Sequence, residues 1–145
     1  KIASRCIGQQ DLFDAVGKTG KDMIVSLGMW HDANPTAPLP TYINSKGKVD
    51  FLYCVAKYPT MPEDVDFDKI DFKDKYSGFS DHTIGMNAPL IAVARGARIL
   101  EKHFTLSKKM HGPDHQGSME PNELRQLVKS AREFEEFMSK WNIES

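Results

Sequence analysis

Short apolar runs, each closed by a polar residue, recur along the 145-residue chain. Ser4 follows Lys1-Ile2-Ala3, Ser26 follows Met23-Ile24-Val25, and Cys54 follows the run from Val49 to Tyr53. Ser80 follows Gly78-Phe79, and His103 follows Arg98-Ile99-Leu100-Glu101-Lys102. Strands of a parallel sheet read this way, because helices cover both faces and polar residues collect where the strand ends. The spacing leaves room for one strand, one helix and two short loops per unit, which predicts βα repetition.

The stretches between the runs are helical to different degrees. Leu12, Phe13 and Val16, with Gly17 and Gly20 as stop signals, predict a short helix. Ile84 to Ala94 predicts another, ended by Gly96 as a C-cap. The clearest begins at Pro121, where Leu124, Leu127, Val128, Ala131, Phe134, Met138 and Trp141 keep a helical period. The acidic run Glu63-Asp64-Val65-Asp66 reads as a solvated helix start, suited to the helix dipole. Pro35, Pro38 and Pro40 oppose a regular helix between His31 and Lys48, so an irregular loop with a short helix around Tyr42 is expected there.

Five such strands with right-handed crossovers predict an α/β fold of the (β/α)8 TIM-barrel type. A complete barrel takes about 250 residues, so this chain makes a partial barrel of about five βα units. An open, doubly wound sheet is the alternative, although no Gly-rich phosphate loop follows any strand. Nothing marks an internal linker, and a single domain over 1–145 is expected. The chain opens on Lys1, in strand-like sequence, and so reads as a fragment.

Composition narrows the partners. With 40% hydrophobic residues and a net charge of −1, the chain can bury a core but has no basic surplus for nucleic acid or anionic membrane. No apolar run approaches the roughly 20 residues of a membrane span. Cys6 and Cys54 form no C-x-x-C pair or disulfide framework, and a cytoplasmic setting is the default.

The candidate chemistry sits at the strand ends. His82 and His103 close adjacent strands, where polar side chains of a βα barrel point into one shared pocket. Two imidazoles there can hold a divalent metal, with Asp81 and Glu101 as orienters of the rings; the alternative is a pair of hydrogen-bonded structural histidines. Two such ligands without a clear third suggest an open, catalytic type of site. Ser4, Ser26 and Ser80 at equivalent ends, with Lys1, suit a phosphate or carboxylate, although each serine alone is also a natural helix cap or turn residue. Tyr58, in Lys57-Tyr58-Pro59-Thr60, is either a turn residue or a hydroxyl for a polar substrate. Asp114, in Gly112-Pro113-Asp114-His115, either bonds its own turn or holds a substrate hydroxyl and does acid–base work. His111 and His115 read as solvated loop residues.

These segments, taken together, carry a resemblance. Cys54, Tyr58-Pro59-Thr60, Pro62-Glu63-Asp64-Val65, Gly78-Phe79-Ser80-Asp81-His82-Thr83-Ile84-Gly85, Glu101-Lys102-His103-Phe104-Thr105, Gly112-Pro113-Asp114-His115 and Ser118-Met119-Glu120-Pro121 occur in the order of the sialic acid synthase (N-acetylneuraminate synthase) family and closely resemble it. Lys1-Ile2-Ala3-Ser4 and Ser26-Leu27-Gly28-Met29 extend the likeness over nearly the whole chain. The resemblance implies a (β/α)8 barrel and a divalent metal, usually Mn2+, with Mg2+ or Co2+ as alternatives. It implies condensation of phosphoenolpyruvate with an N-acetylated aminosugar, such as N-acetylmannosamine, to a nine-carbon sialic acid and phosphate. By the same resemblance His82 and His103 are the metal ligands, and Lys1, Ser4, Ser26 and Ser80 contact phosphoenolpyruvate. Tyr58 and Asp114 contact the sugar and are the catalytic candidates, Asp114 near a metal-bound water. A homodimer is implied for the complete protein, with further barrel strands before this segment and an antifreeze-like domain after it, so this chain alone is expected to be inactive.

The chain departs from the family at four positions and in the proline-rich stretch 35–40, which stands where members carry a regular helix. Arg5 and Cys6 stand where members usually carry Gly-Glu, Ala56 where Asn or Ser is usual, and Tyr53 in place of a common His. Two other readings therefore stay open: a non-catalytic relative that binds a sugar or phosphate ligand, and a related phosphoenolpyruvate-dependent 3-deoxy sugar acid synthase.

Overall fold

Four parallel strands carry the fold: β1 (Met23–Ser26), β2 (Val49–Cys54), β3 (Gly78–Asp81) and β4 (Ile99–Lys102), hydrogen-bonded in the order β1-β2-β3-β4. The structure is a computed structural model that describes residues 1–30 and 45–141. The loop expected across 35–40 and the short helix expected around Tyr42 lie outside the described residues.

Each strand pairs in parallel with the next in the chain, and the order never reverses. A doubly wound sheet needs a reversal, so that alternative does not apply. The strands make a curled half-barrel, part of a TIM-type barrel. The first expected strand is present only as a parallel bridge from Ile2 to Val25, with Ile2 N donating to Ile24 O at 2.8 Å and Ser26 N to Ile2 O at 3.0 Å. Its three residues turn at once into the 3-10 helix Ser4–Cys6, which leaves no length for a ladder.

Helix α1 spans Gln10–Lys18 and buries Phe13. Gly17, expected to stop it, lies buried inside it; Gly20, at φ 67°, follows its end. Helix α2 spans Asn87–Ala94, starting later than expected. Gly85 holds φ 82°, and Thr83 N donates to Asp81 Oδ1 at 2.8 Å, so residues 83–85 form a bend that leaves Ile84 exposed. Gly96, at φ 104°, follows α2 as expected. Helix α3 spans Pro121–Trp141 and buries Leu127, whereas Val128 and Phe134 of the same stripe stay exposed.

No α-helix begins at Glu63. Two 3-10 turns, Pro62–Asp64 and Phe67–Lys69, fill that stretch. Asp64 accepts from Met61 N at 2.8 Å and from Lys57, while Val65, Ile70 and Phe72 are drawn into the core. An acidic helix start left in solvent does not anchor three apolar side chains, and burial decides the shape.

The core has two parts. Ile2, Phe13, Met23, Val25 and Leu27 pack between the first strands and α1. Val65, Ile70, Phe72, Phe79, Ala92 and Ala97 pack between β3 and α2. Gly78 permits the β3–β4 approach, since a Cβ there would lie 2.0 Å from Ile99 O.

Candidate active site

Side chains on a strand alternate between faces, and the register of β3 and β4 makes that alternation a sorting device. Ser80 lies opposite Glu101, and Asp81 opposite Lys102. Two residues further on, His82 and His103 share the face of Ser80 and Glu101. A cavity of about 470 Å³ at the carboxyl ends of the strands gathers these four with Lys1, Ser4, Ser26, Tyr58 and Asp114. Every residue expected to contact metal, phosphoenolpyruvate or sugar thus lines one space. A second cavity of about 350 Å³ adjoins it, sharing Tyr58, His82, His103 and Asp114 and adding Ile84, Lys102 and Gln116.

The two imidazoles lie edge to face, with centroids 5.2 Å apart at 85°. His82 Nδ1 is 2.9 Å from Val55 O, and a carbonyl only accepts, so that nitrogen carries the proton. The Nε2 lone pair is left facing the cavity and accepts from Tyr58 Oη at 2.8 Å. Burial lowers the His82 pKa, against the Val55 hydrogen bond, which raises it. The ring is therefore neutral at neutral pH, the form that binds metals. Tyr58 stacks over both histidines, with centroids 4.1 Å and 5.5 Å away. Burial raises its pKa, as do Cys54, Asp114 and Glu101, so its hydroxyl stays a donor.

The orienting role expected of Asp81 and Glu101 is not what the structure holds. Asp81 pairs with Lys102 at 2.8 Å, both side chains almost wholly buried, and also accepts from Thr83 Oγ1 at 3.1 Å. Lys102 donates further to Thr83 O. Glu101 accepts from Lys1 Nζ at 2.6 Å and Ser80 Oγ at 3.0 Å. Asp81 fails as an orienter because strand alternation turns it away from His82. Glu101 does face the cavity, but the nearest donors to it are Lys1 and Ser80. It is a charged member of the cavity that sequence reasoning did not count as a ligand contact. The signal was available, since Glu101 precedes His103 by one strand period.

The serines differ. Ser4 Oγ accepts from Gly28 N at 2.9 Å, which leaves its own proton free to donate. That approach needs glycine, for a Cβ on Gly28 would lie 2.7 Å from Cys54 Sγ. Ser26 Oγ is buried on the cavity wall and has no hydrogen-bond partner among the described residues. Such an orphan hydroxyl suits a ligand oxygen. Ala56 lines the same wall without a polar group.

Asp114 is held from behind. Ser118 Oγ donates to Asp114 O at 2.6 Å, and His115 Nδ1 lies 2.7 Å from Thr105 Oγ1. His115 is thus a brace of this loop and not a solvated residue. The Asp114 carboxylate makes no hydrogen bond or ion pair among the described residues and remains available to a ligand.

As a metal centre the site offers two nitrogen ligands. Among the described residues no group of three or more His, Cys, Asp and Glu is arranged to hold an ion. That donor set fits an open site completed by water or substrate, not a closed structural one.

The sequence model of the NeuB family matches residues 1–142. The chain belongs to the NeuB family. An N,N'-diacetyllegionaminic acid synthase of Campylobacter jejuni is 35% identical over 145 residues, covering 95% of this chain and 43% of the relative. The N-acetylneuraminate-9-phosphate synthase of Homo sapiens is 34% identical over 137 residues, covering 91% and 38%. Among solved structures, an N-acetylneuraminic acid (sialic acid) synthetase from Leptospira borgpetersenii, in complex with citrate, superposes with a TM-score of 0.82 at 32% identity over 94% of this chain and 50% of the other. This NeuB-family chain therefore spans about two fifths of the length of the curated relatives it matches. The sialic acid synthase resemblance and the partial-barrel fold both hold. Among the described residues no helix is long and apolar enough to cross a membrane.

Proposed function

We propose that this chain is the metal-binding part of a sugar acid synthase, which joins phosphoenolpyruvate to an N-acetylated aminosugar and releases phosphate. The observation that carries the reading is the shared cavity: two imidazoles, three serine hydroxyls, a lysine and an unclaimed carboxylate line one space at the strand ends.

His82 Nε2 and His103 would hold a divalent metal, most naturally Mn2+, with Mg2+ or Co2+ as alternatives. When bound, the metal acts as a Lewis acid on a carbonyl oxygen of the aminosugar. Ser26, Ser80, Ser4 and Lys1 bind the anionic groups of phosphoenolpyruvate, and Lys1 divides its charge between that ligand and Glu101. The Ser26 hydroxyl gains the partner it lacks. Tyr58 donates a hydrogen bond from its protonated hydroxyl. The Asp114 carboxylate accepts one from a sugar hydroxyl and serves as the proton acceptor near the reacting oxygen. The complete protein acts in the cytoplasm as a homodimer.

The experiment is phosphate release from phosphoenolpyruvate by the full-length protein, with and without aminosugar, for the native protein and His103→Ala. Sugar-dependent release that is lost in the variant is expected. Tight binding of phosphoenolpyruvate with no sugar-dependent release would favour the binding-only relative, the reading to which Ala56 on the cavity wall points. Release driven by an unmodified sugar phosphate and not by the aminosugar would favour the 3-deoxy sugar acid synthase.

A further inference from the structure

A buried lysine ties together the two strand ends that carry the histidines. Lys102 closes β4 one residue before His103, and Asp81 closes β3 one residue before His82. Their side chains are 4% and 1% exposed. Lys102 Nζ donates to Asp81 Oδ2 at 2.8 Å and to Thr83 O at 2.5 Å. Asp81 in turn accepts from Thr83 N at 2.8 Å and from Thr83 Oγ1 at 3.1 Å. Lys102 thus grips the residues on both sides of His82.

Stability alone does not account for such a pair. Taking two charges out of water offsets most of their attraction, and a well-packed apolar pair of similar volume is often as stable. The surroundings suit that exchange, since Lys102 also lines a groove of about 400 Å³ with Val93, Leu100, Leu124 and Leu127. An apolar pair lacks direction, however. The lysine head is aimed at one carboxylate and one carbonyl, which fixes the β3 bend against the end of β4.

The two imidazoles depend on this tie to different degrees. His82 is held through its ring, by Val55 O at 2.9 Å, and through its carbonyl, which accepts from Thr60 N at 3.1 Å. Among the described residues the His103 ring makes no hydrogen bond, and its neighbours are the rings of His82 and Tyr58, with centroids 5.2 Å and 5.5 Å away. A histidine ligand is usually oriented by a partner on its second nitrogen. Without one, the place of His103 is set by its backbone. Lys102 anchors that backbone on one side, and Met119 N, donating to His103 O at 2.8 Å, holds it from the other.

We propose that Lys102 is a positioning residue for the metal site: it holds the bend that carries His82 against the strand end that carries His103, and so sets the separation of the two imidazoles. The inference rests on the metal reading given above. It gives Lys102 no contact with substrate.

The test is calorimetric titration of the full-length protein with Mn2+ and, in the absence of metal, with phosphoenolpyruvate. Four forms are compared: native, Lys102→Met, Asp81→Asn/Lys102→Met and His103→Ala. The double variant removes both charges but leaves an amide oxygen for Thr83, so the bend keeps its acceptor while the tie between the strands is cut. Mn2+ binding by the native protein is expected to vanish in His103→Ala. It should weaken by roughly tenfold to a hundredfold in Lys102→Met and in the double variant alike, the range for groups that orient a metal ligand. Phosphoenolpyruvate affinity should stay near native in the double variant, because Ser4, Ser26, Ser80 and Lys1 are untouched. A double variant that regains native Mn2+ affinity shows that the pair serves stability only, and overturns the inference. Equal losses of Mn2+ and phosphoenolpyruvate affinity overturn it as well, since they report a general loss of structure. Mn2+ binding that depends on His103 but not on Lys102 sinks this inference alone. A native protein that binds no Mn2+, or binding that survives His103→Ala, sinks the metal reading and the positioning role with it.

Discussion

Ser26 buries a hydroxyl that meets no acceptor or donor among the described residues. Leaving such a group unpaired costs about 1–3 kcal/mol. Ser26→Ala is therefore expected to raise stability in a urea titration while weakening phosphoenolpyruvate binding by calorimetry. A variant that lost stability would show that the hydroxyl has a structural partner. His82 gives a pH dependence of known sign. Burial lowers its folded pKa below the ordinary value of 6.5. Its contribution to stability is complete above the unfolded pKa and is lost as pH falls through about 6.5 toward the folded value. The native chain should lose more stability than His82→Gln on acidification across that window, measured by urea unfolding. Parallel curves would deny the histidine this role.

At the scale of elements, the ends of β3 and β4 are tied by the Asp81–Lys102 pair, which also holds the bend at Thr83. His82 and His103 each follow a member of the pair directly, so its geometry reaches the imidazoles through the backbone. Removing one partner of a buried pair strands the other charge, at a cost of about 3–5 kcal/mol. Lys102→Met is expected to destabilise by that order in thermal or urea unfolding, and Asp81→Asn/Lys102→Met together by clearly less. A double-variant loss equal to the sum of the Asp81→Asn and Lys102→Met losses would show that the pair is not coupled. The strands and the three α-helices were legible from apolar runs and helical period. The segment from Pro62 to Lys69 was not, because its acidic residues read as a helix start while Val65, buried among them, governs its path.

On the scale of the whole molecule, the half-barrel has two sheet edges. Among the described residues β4 pairs with β3 alone, and β1 carries only the Ile2 bridge on its outer side. Helix α3 leaves Val128, Phe134 and Phe137 exposed. Open edges beside apolar surface invite pairing. The 145-residue chain expressed alone is expected to self-associate or to be poorly soluble, as read by light scattering; a well-behaved monomer would contradict that picture.

The chain's own pattern determined where the strands and α-helices lie, that the strands are parallel, and which histidines, serines, tyrosine and aspartate collect at one end. Those features are local, set by side-chain period and by the chemistry of strand ends, and they carried the family likeness as well. Partnership is a different matter. That Asp81 serves Lys102 and not His82, and that Glu101 holds Lys1 and Ser80, follow from strand register. Register brings together residues far apart in sequence, and no local pattern records which side of a strand meets which neighbour until the sheet has formed.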